Sequence, residues 1–374
     1  MPLPMGRTKP LIIERLYLTG TLAMIMLLLF IAGEYPLFIE RYYSNGLYRA
    51  ISVALHFTLG WIPFSVGDVL YTAIIVIALY ATISLIASLF KKRFARSLRL
   101  FINLVIGLQL FIIAFYILWG LNYSRPPASQ LLNIPDSTYT TSALIGMTCT
   151  LIDSANACRA RLNADDLSTT NKQIYDTAEA AIERSADIYP QFRSYYPAVK
   201  SSLFTPVINY LSTAGYFTPF TGEAQVNYQM PLHDRPVSAC HEMAHQMGFA
   251  REDEANFVGY LAGIHSNDRS LRYSAYYLAM QEFIHQVRRR DSTASKQFKT
   301  HLSPAVLADL KADRAYWQRY DRQISRLSGI FYDNFLKVNK QPEGLRTYNR
   351  MIILTMGYYA QKRNESGSMR TEDR

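Results

Sequence analysis

Three residues in the stretch PVSACHEMAHQMGFAREDEANFVGYLAG (236–263) combine type and spacing in a way that can do chemistry: His241, Glu242 and His245. Helical residues four apart lie one above the other, so both imidazoles can reach one metal ion. Glu242 then projects beside that ion, where it can take a proton from an activated water and return it to a leaving amine. A helical site built from histidine and carboxylate favours zinc, and one Zn²⁺ per chain is expected.

A mononuclear catalytic zinc needs a third protein ligand and an open position. The helix carrying the histidines is expected to end at Gly248, and the next opens with Glu252, Asp253 and Glu254. Glu252 shares a face with Asn256 by four-residue spacing, whereas Glu254 points roughly 160° away. One of these two glutamates is therefore the expected ligand, and the other caps the helix start or supports a histidine. Glu223, Tyr348 and Arg350 are candidates for orienting substrate or an oxyanion. Cys240 lies about 100° around the helix from His241 and reads as a packing residue. His233 and His265 lie near enough in sequence to approach the site but read as surface or packed residues, and His56, His285 and His301 have no companion pattern.

The elements that must position these groups follow from composition. Of 374 residues, 49% are hydrophobic and only 18% charged, which excludes a disordered chain and points to a membrane portion. Apolar helices are expected near 16–33, 68–90 and 101–120, and 50–67 (AISVALHFTLGWIPFSVG) reads as interfacial or re-entrant because it holds His56 and Pro63 and leaves no room for a turn. The first run reads as an uncleaved anchor rather than a signal peptide, since no Ala-x-Ala pattern follows it. Residues 1–120 carry ten bases and four acids, mostly flanking these runs, so the net charge of +10 does not point to nucleic acid. Arg7, Lys9 and Arg15 place the amino terminus in the cytoplasm, KKRFARSLR (91–99) lies on the same side, and three spans carry the rest of the chain across. The expected division is an anchor, 1–123, and an extracytoplasmic domain, 124–374.

That domain is expected to be mostly helical, with helices at 137–162, 170–188, 269–290, 303–338 and 344–361, and a small β element within 205–230. The segment GYFTPFTGEAQVNYQMP would either supply an edge strand able to hold an extended peptide or pack its aromatic residues into the domain core. Three cysteines are too few for a disulfide framework, although Cys149 and Cys158 could pair in an oxidising compartment.

His-Glu-x-x-His followed by Glu-x-x-Ala-Asn resembles the gluzincin arrangement of zinc metallopeptidases. That resemblance implies Glu252 as the third ligand and Asn256 as the residue orienting a ligand histidine. The longer pattern resembles a family of bacterial membrane proteins, the domain of unknown function 3810 family. It does so through IPFSVGDVLY (62–71), WGLNYSRPP (119–127), GYFTPFTGEAQVN (215–227), CHEMAHQMGFAREDEANFVGYLA (240–262), YDNFLKVN (332–339) and LRTYNRM (345–351). It implies a membrane-anchored, zincin-like bacterial protein and brings no substrate with it; the motif and the charge pattern together lead to the expectation of a multi-pass inner-membrane protein whose periplasmic metallopeptidase domain acts on envelope peptides or proteins. The competing expectation is a non-catalytic envelope scaffold whose metal site is structural or a relic. A transporter is disfavoured because the apolar runs hold almost no ionisable residues. Spacing does not reveal the oligomeric state.

Overall fold

The structure, a computed structural model, describes residues 8–135, 138–197, 199–321, 323–341 and 350–372. In chain order the longer helices are α1 (Thr8–Ala32), α2 (Tyr48–Leu59), α3 (Val66–Phe90), α4 (Phe94–Leu118), α5 (Thr141–Ala160), α6 (Asn171–Ser185), α7 (Arg235–Gln246), α8 (Glu252–Ile264), α9 (Arg269–Arg290), α10 (Ser292–His301), α11 (Pro304–Gln318), α12 (Gln323–Val338) and α13 (Arg350–Glu372). Short strands β1 (Val199–Ser201), β2 (Gly215–Thr218) and β3 (Glu223–Val226) lie between α6 and α7. The fold is mainly α, with three long apolar helices near the amino terminus and one small mixed sheet.

The backbone divides into two compact units. The first holds Met1–Ile51, Val66–Arg125 and Pro219–Thr221; the second holds Ser52–Ser65, Pro126–Thr218 and Gly222–Arg374. Ser52–Ser65 thus groups with the carboxyl-terminal unit, although it precedes two of the apolar helices in sequence.

In the first unit α1 and α3 pack against α4. Ile12–Ala32, Val66–Phe90 and Phe94–Leu118 are long and apolar enough to cross a membrane. A 25-residue helix rises about 37 Å, more than the ~30 Å hydrocarbon core. Their side chains are largely exposed, the reverse of a water-soluble core. Some polar groups here find partners within the unit. Gln109 Nε2 donates to the Thr19 carbonyl at 3.1 Å, and Arg125 donates to both carboxylate oxygens of Glu40 at 2.7 and 3.0 Å. α4 starts at Phe94, earlier than its apolar run, so Arg96 and Arg99 lie in its first turns. Arginine is a good helix former and carries its charge on a long stem, so a basic stretch continues a helix as readily as it ends one.

In the second unit α8 runs through the core, with every residue from Glu252 to Gly263 buried. Around it pack Leu144, Leu151, Phe192, Phe249, Tyr273, Tyr277 and Phe283. β3 is the central strand, parallel to β1 and antiparallel to β2, with Ala224 opposite both Val199 and Phe217. β1 lies upstream of the expected β element, whose first residues form a short helix, Thr205–Ile208. α5 begins at Thr141, where the Thr140 side chain accepts from Ala143 N at 3.1 Å; the expected helix start at 137 lies outside the described residues. The helix expected over 303–338 is two helices. α11 closes with the N–H groups of Arg319 and Tyr320 turning back to the carbonyls of Tyr316 and Trp317, bonds three residues long that tighten and end a helix.

Candidate metal centre

α7 presents the two histidines, and the way it ends fixes one of them. Gly248, at φ 82°, occupies the left-handed position just past the helix. Its N–H donates to the His245 carbonyl and that of Phe249 to the Ala244 carbonyl, both at 3.0 Å, which is the Schellman arrangement. This turn brings the Phe249 carbonyl to 2.7 Å from His245 Nδ1. A carbonyl only accepts, so Nδ1 carries the proton and the Nε2 lone pair is left facing away. On His241 the Nδ1–H donates to Asn256 Oδ1 at 2.8 Å. Both rings therefore direct an Nε2 lone pair toward the same point.

Glu252 meets them there. Its Oε2 lies 3.2 Å from His241 Nε2 and its Oε1 lies 3.7 Å from His245 Nε2, and one ligand atom from each residue falls within 4.8 Å of the others. Ligands about 2.0–2.1 Å from a tetrahedral zinc stand about 3.4 Å apart, so this donor set fits that ion. Without metal, the cluster is an unequal trio. Burial works against a charge on His241, but the Glu252 and Glu242 carboxylates hold its proton up to about 9. Burial drives His245 down to about 4. Burial also opposes the Glu252 carboxylate, yet the two histidines and the Tyr332 hydroxyl pull it down to about 2.

Glu242 is 4% exposed, and its Oε2 has no hydrogen-bond partner among the described residues. Burial, opposed by His241 and assisted by Glu252, pushes its carboxyl up to about 8. A buried carboxylate with an uncommitted oxygen beside a histidine–carboxylate cluster is suited to accept a proton.

The model of a family described as a protein of unknown function, DUF3810, matches residues 43–356. The chain belongs to the DUF3810 family. No curated protein and no solved structure matches the chain. The DUF3810 match takes in every residue of the cluster, and also Tyr332 on α12, whose hydroxyl donates to Glu252 Oε1. Tyr332 escapes a reading based on helical spacing because it lies 80 residues from its partner. Its one sequence signal is its place at the head of YDNFLKVN (332–339).

The other candidates lie elsewhere. Glu254 Oε1 accepts from Ala128 N at 2.8 Å and faces Arg251 at 3.3 Å, away from the histidines. Glu223 does not face a cleft: it is fully buried and its carboxylate lies 2.5 Å from Lys200 Nζ, so the expected substrate contact is replaced by an internal ion pair. Arg350 is exposed at the start of α13, and Tyr348 lies outside the described residues. His233 Nε2 donates to Asp313 Oδ1 at 2.8 Å, and His265 Nε2 lies 3.0 Å from the Tyr358 hydroxyl. Cys149, Cys158 and Cys240 are free. The first two sit nine residues apart on α5, about 13.5 Å along its axis and well beyond disulfide reach. Burial raises the Cys240 thiol to about 12, so it offers no thiolate.

Proposed function

We propose that the chain is a membrane-anchored zinc metallopeptidase that hydrolyses peptide bonds of envelope proteins or peptides. Its second unit would lie in the periplasm, outside the inner membrane of a bacterium. The observation that carries this reading is the convergence of His241 Nε2, His245 Nε2 and the Glu252 carboxylate on one point, with the uncommitted Glu242 Oε2 as their neighbour in the chain. Glu252 rather than Glu254 is the third ligand in this proposal. The orientation rests on the basic residues at 7–15 and 91–99, which share the cytoplasmic side if the segments between them cross twice.

When bound, zinc supplies Lewis-acid polarisation of the scissile carbonyl and acidification of water. The protein's own groups do the rest. Glu242 takes the proton of the attacking water at Oε2 and hands it to the departing amine. Asn256 and the Phe249 carbonyl hold the histidine tautomers, and Tyr332 fixes the Glu252 carboxylate. β2 is an edge strand of the sheet, and its first residue, Gly215, lies against Glu242, which supports binding of an extended peptide along that edge.

The test is the full chain in detergent or nanodiscs, assayed on a mixed pool of unstructured peptides, beside Glu242→Gln. Cleavage by the wild type and none by a variant that still binds zinc supports the proposal. Zinc binding with no cleavage by either, across the pool, would favour the scaffold alternative.

A further inference from the structure

One short segment of the second unit carries a group of exposed aromatic rings held in place from beneath by buried polar groups. Within Ser52–Ser65, Phe57, Trp61 and Phe64 are 67%, 77% and 48% exposed. Tyr196, from a loop about 140 residues later, is 61% exposed and sets its ring edge-on to Phe57 at 5.9 Å. The indole N–H of Trp61 is already committed to the Thr58 carbonyl at 2.8 Å, so its ring can enter an apolar layer without stranding a donor.

These outward-facing rings are held by inward-facing polar groups. His56, 2% exposed, has its ring nitrogens at 2.9 Å from the Tyr195 carbonyl and 2.8 Å from the Gly222 carbonyl. Lys200 Nζ donates to the Leu59 and Phe64 carbonyls at 2.9 and 3.1 Å while paired with Glu223. Ser65 and Gln225 share a hydrogen bond of 3.0 Å. A buried lysine bonded to the segment's own carbonyls, and a buried histidine of the segment held between the Tyr195 and Gly222 carbonyls, fix its apolar residues in place. A fixed, exposed aromatic cluster marks a binding surface.

What covers it is indicated by covalent continuity. Phe64 is two residues from Val66, the first residue of a helix long and apolar enough to cross a membrane. Aromatic residues so close to the end of a span belong at the headgroup level, where amphipathic rings are enriched. We infer that Phe57, Trp61, Phe64 and Tyr196 form a composite lipid-contact face of the second unit, seated in the interfacial layer of the bilayer. The face does not depend on catalysis. Its framework does reach the metal centre, because the Gly222 carbonyl that meets His56 also accepts from Gln246 Nε2 at 2.9 Å, next to the ligand candidate His245.

The test uses the full chain in nanodiscs. With three tryptophans in the sequence, Trp119→Phe with Trp317→Phe leaves Trp61 as the sole emitter. The expected result is at least a twofold loss of Trp61 emission with lipids brominated near the glycerol level, and little quenching by acrylamide. Full acrylamide access, or no response to either quencher because protein covers the ring, would overturn the inference. Wild-type protein labelled by a diazirine lipid with a shallow reactive group removes any dependence on the double variant. Adducts are expected on both the Phe57–Phe64 and the Tyr196 peptides. Labelling of the first alone would show that Tyr196 is no part of the face and would overturn the composite assignment.

Discussion

A methyl group at Gly215 would stand 2.6 Å from Glu242 Oε1 and 2.9 Å from its Cγ. The edge strand β2 therefore abuts the proposed general base, and the lack of a side chain at this one position is what lets the carboxylate lie there. Gly215→Ala is expected to leave the zinc content unchanged, to cost about 1–3 kcal/mol of stability through overpacking, and to lower turnover by at least tenfold as Glu242 is displaced. Elemental analysis, a thermal melt and the peptide assay read these separately. A Gly215→Ala variant with wild-type turnover would show that the Glu242 position is not critical.

The hydrogen bonds behind the ligands should control metal affinity. Asn256→Ala removes the acceptor that fixes the His241 ring, and zinc affinity is expected to fall about 10–100-fold, measured by competition with a chromogenic chelator. Tyr332→Phe should weaken zinc in the same direction with the helical circular dichroism unchanged. Unaltered affinity in both variants would mean that the rings and carboxylate are positioned by packing alone.

The histidine–carboxylate cluster was legible because it is local. His241, His245, Glu252 and Asn256 lie on two consecutive helices, so four-residue spacing alone places them in pairs. Spacing left Glu252 and Glu254 both open and only the resemblance favoured Glu252, since what separates them is Ala128 N and Arg251 drawing Glu254 aside. Backbone acceptors and distant partners left little trace in residue type. Phe249 acts through its carbonyl, and Tyr332 and Gly215 meet the site only after the chain has folded. The apolar helices were readable from composition, but the start of α4 was not, because its first turns are basic. Glu223 was misread because a buried carboxylate looks the same in sequence as one lining a cleft.

The ion pair that replaced that role makes its own prediction. Lys200 and Glu223 are 6% and 0% exposed, and removing one partner of such a pair strands a buried charge. Lys200→Met is expected to destabilise the protein by about 3–5 kcal/mol, and Lys200→Met with Glu223→Leu to recover much of that loss. Thermal melts in one detergent compare the two. A fragment starting at Pro126 lacks Leu59 and Phe64 and should be unstable for the same reason.

His233 provides a pH test away from the candidate metal centre. Burial opposes its charge, but the Asp313 carboxylate at 2.8 Å, with Asp234 nearby, raises its pKa above the ordinary histidine value. A raised folded pKa gives stability that is fully present below about pH 6.5 and is lost as pH rises through the folded value. The stability gap between wild type and His233→Gln should therefore narrow as the pH is taken from about 6 to about 9. A gap independent of pH would mean that the pair is not charged.

The central claim is that His241, His245 and Glu252 hold one zinc ion. Its most direct test is the metal content of the purified full chain by elemental mass spectrometry, beside His241→Ala, His245→Ala, Glu252→Ala and Glu254→Ala. About one zinc per chain is predicted for the wild type and for Glu254→Ala, with the metal lost in the other three. A folded wild-type protein that neither contains zinc nor takes it up, or one that loses zinc with Glu254→Ala and keeps it with Glu252→Ala, would contradict the account.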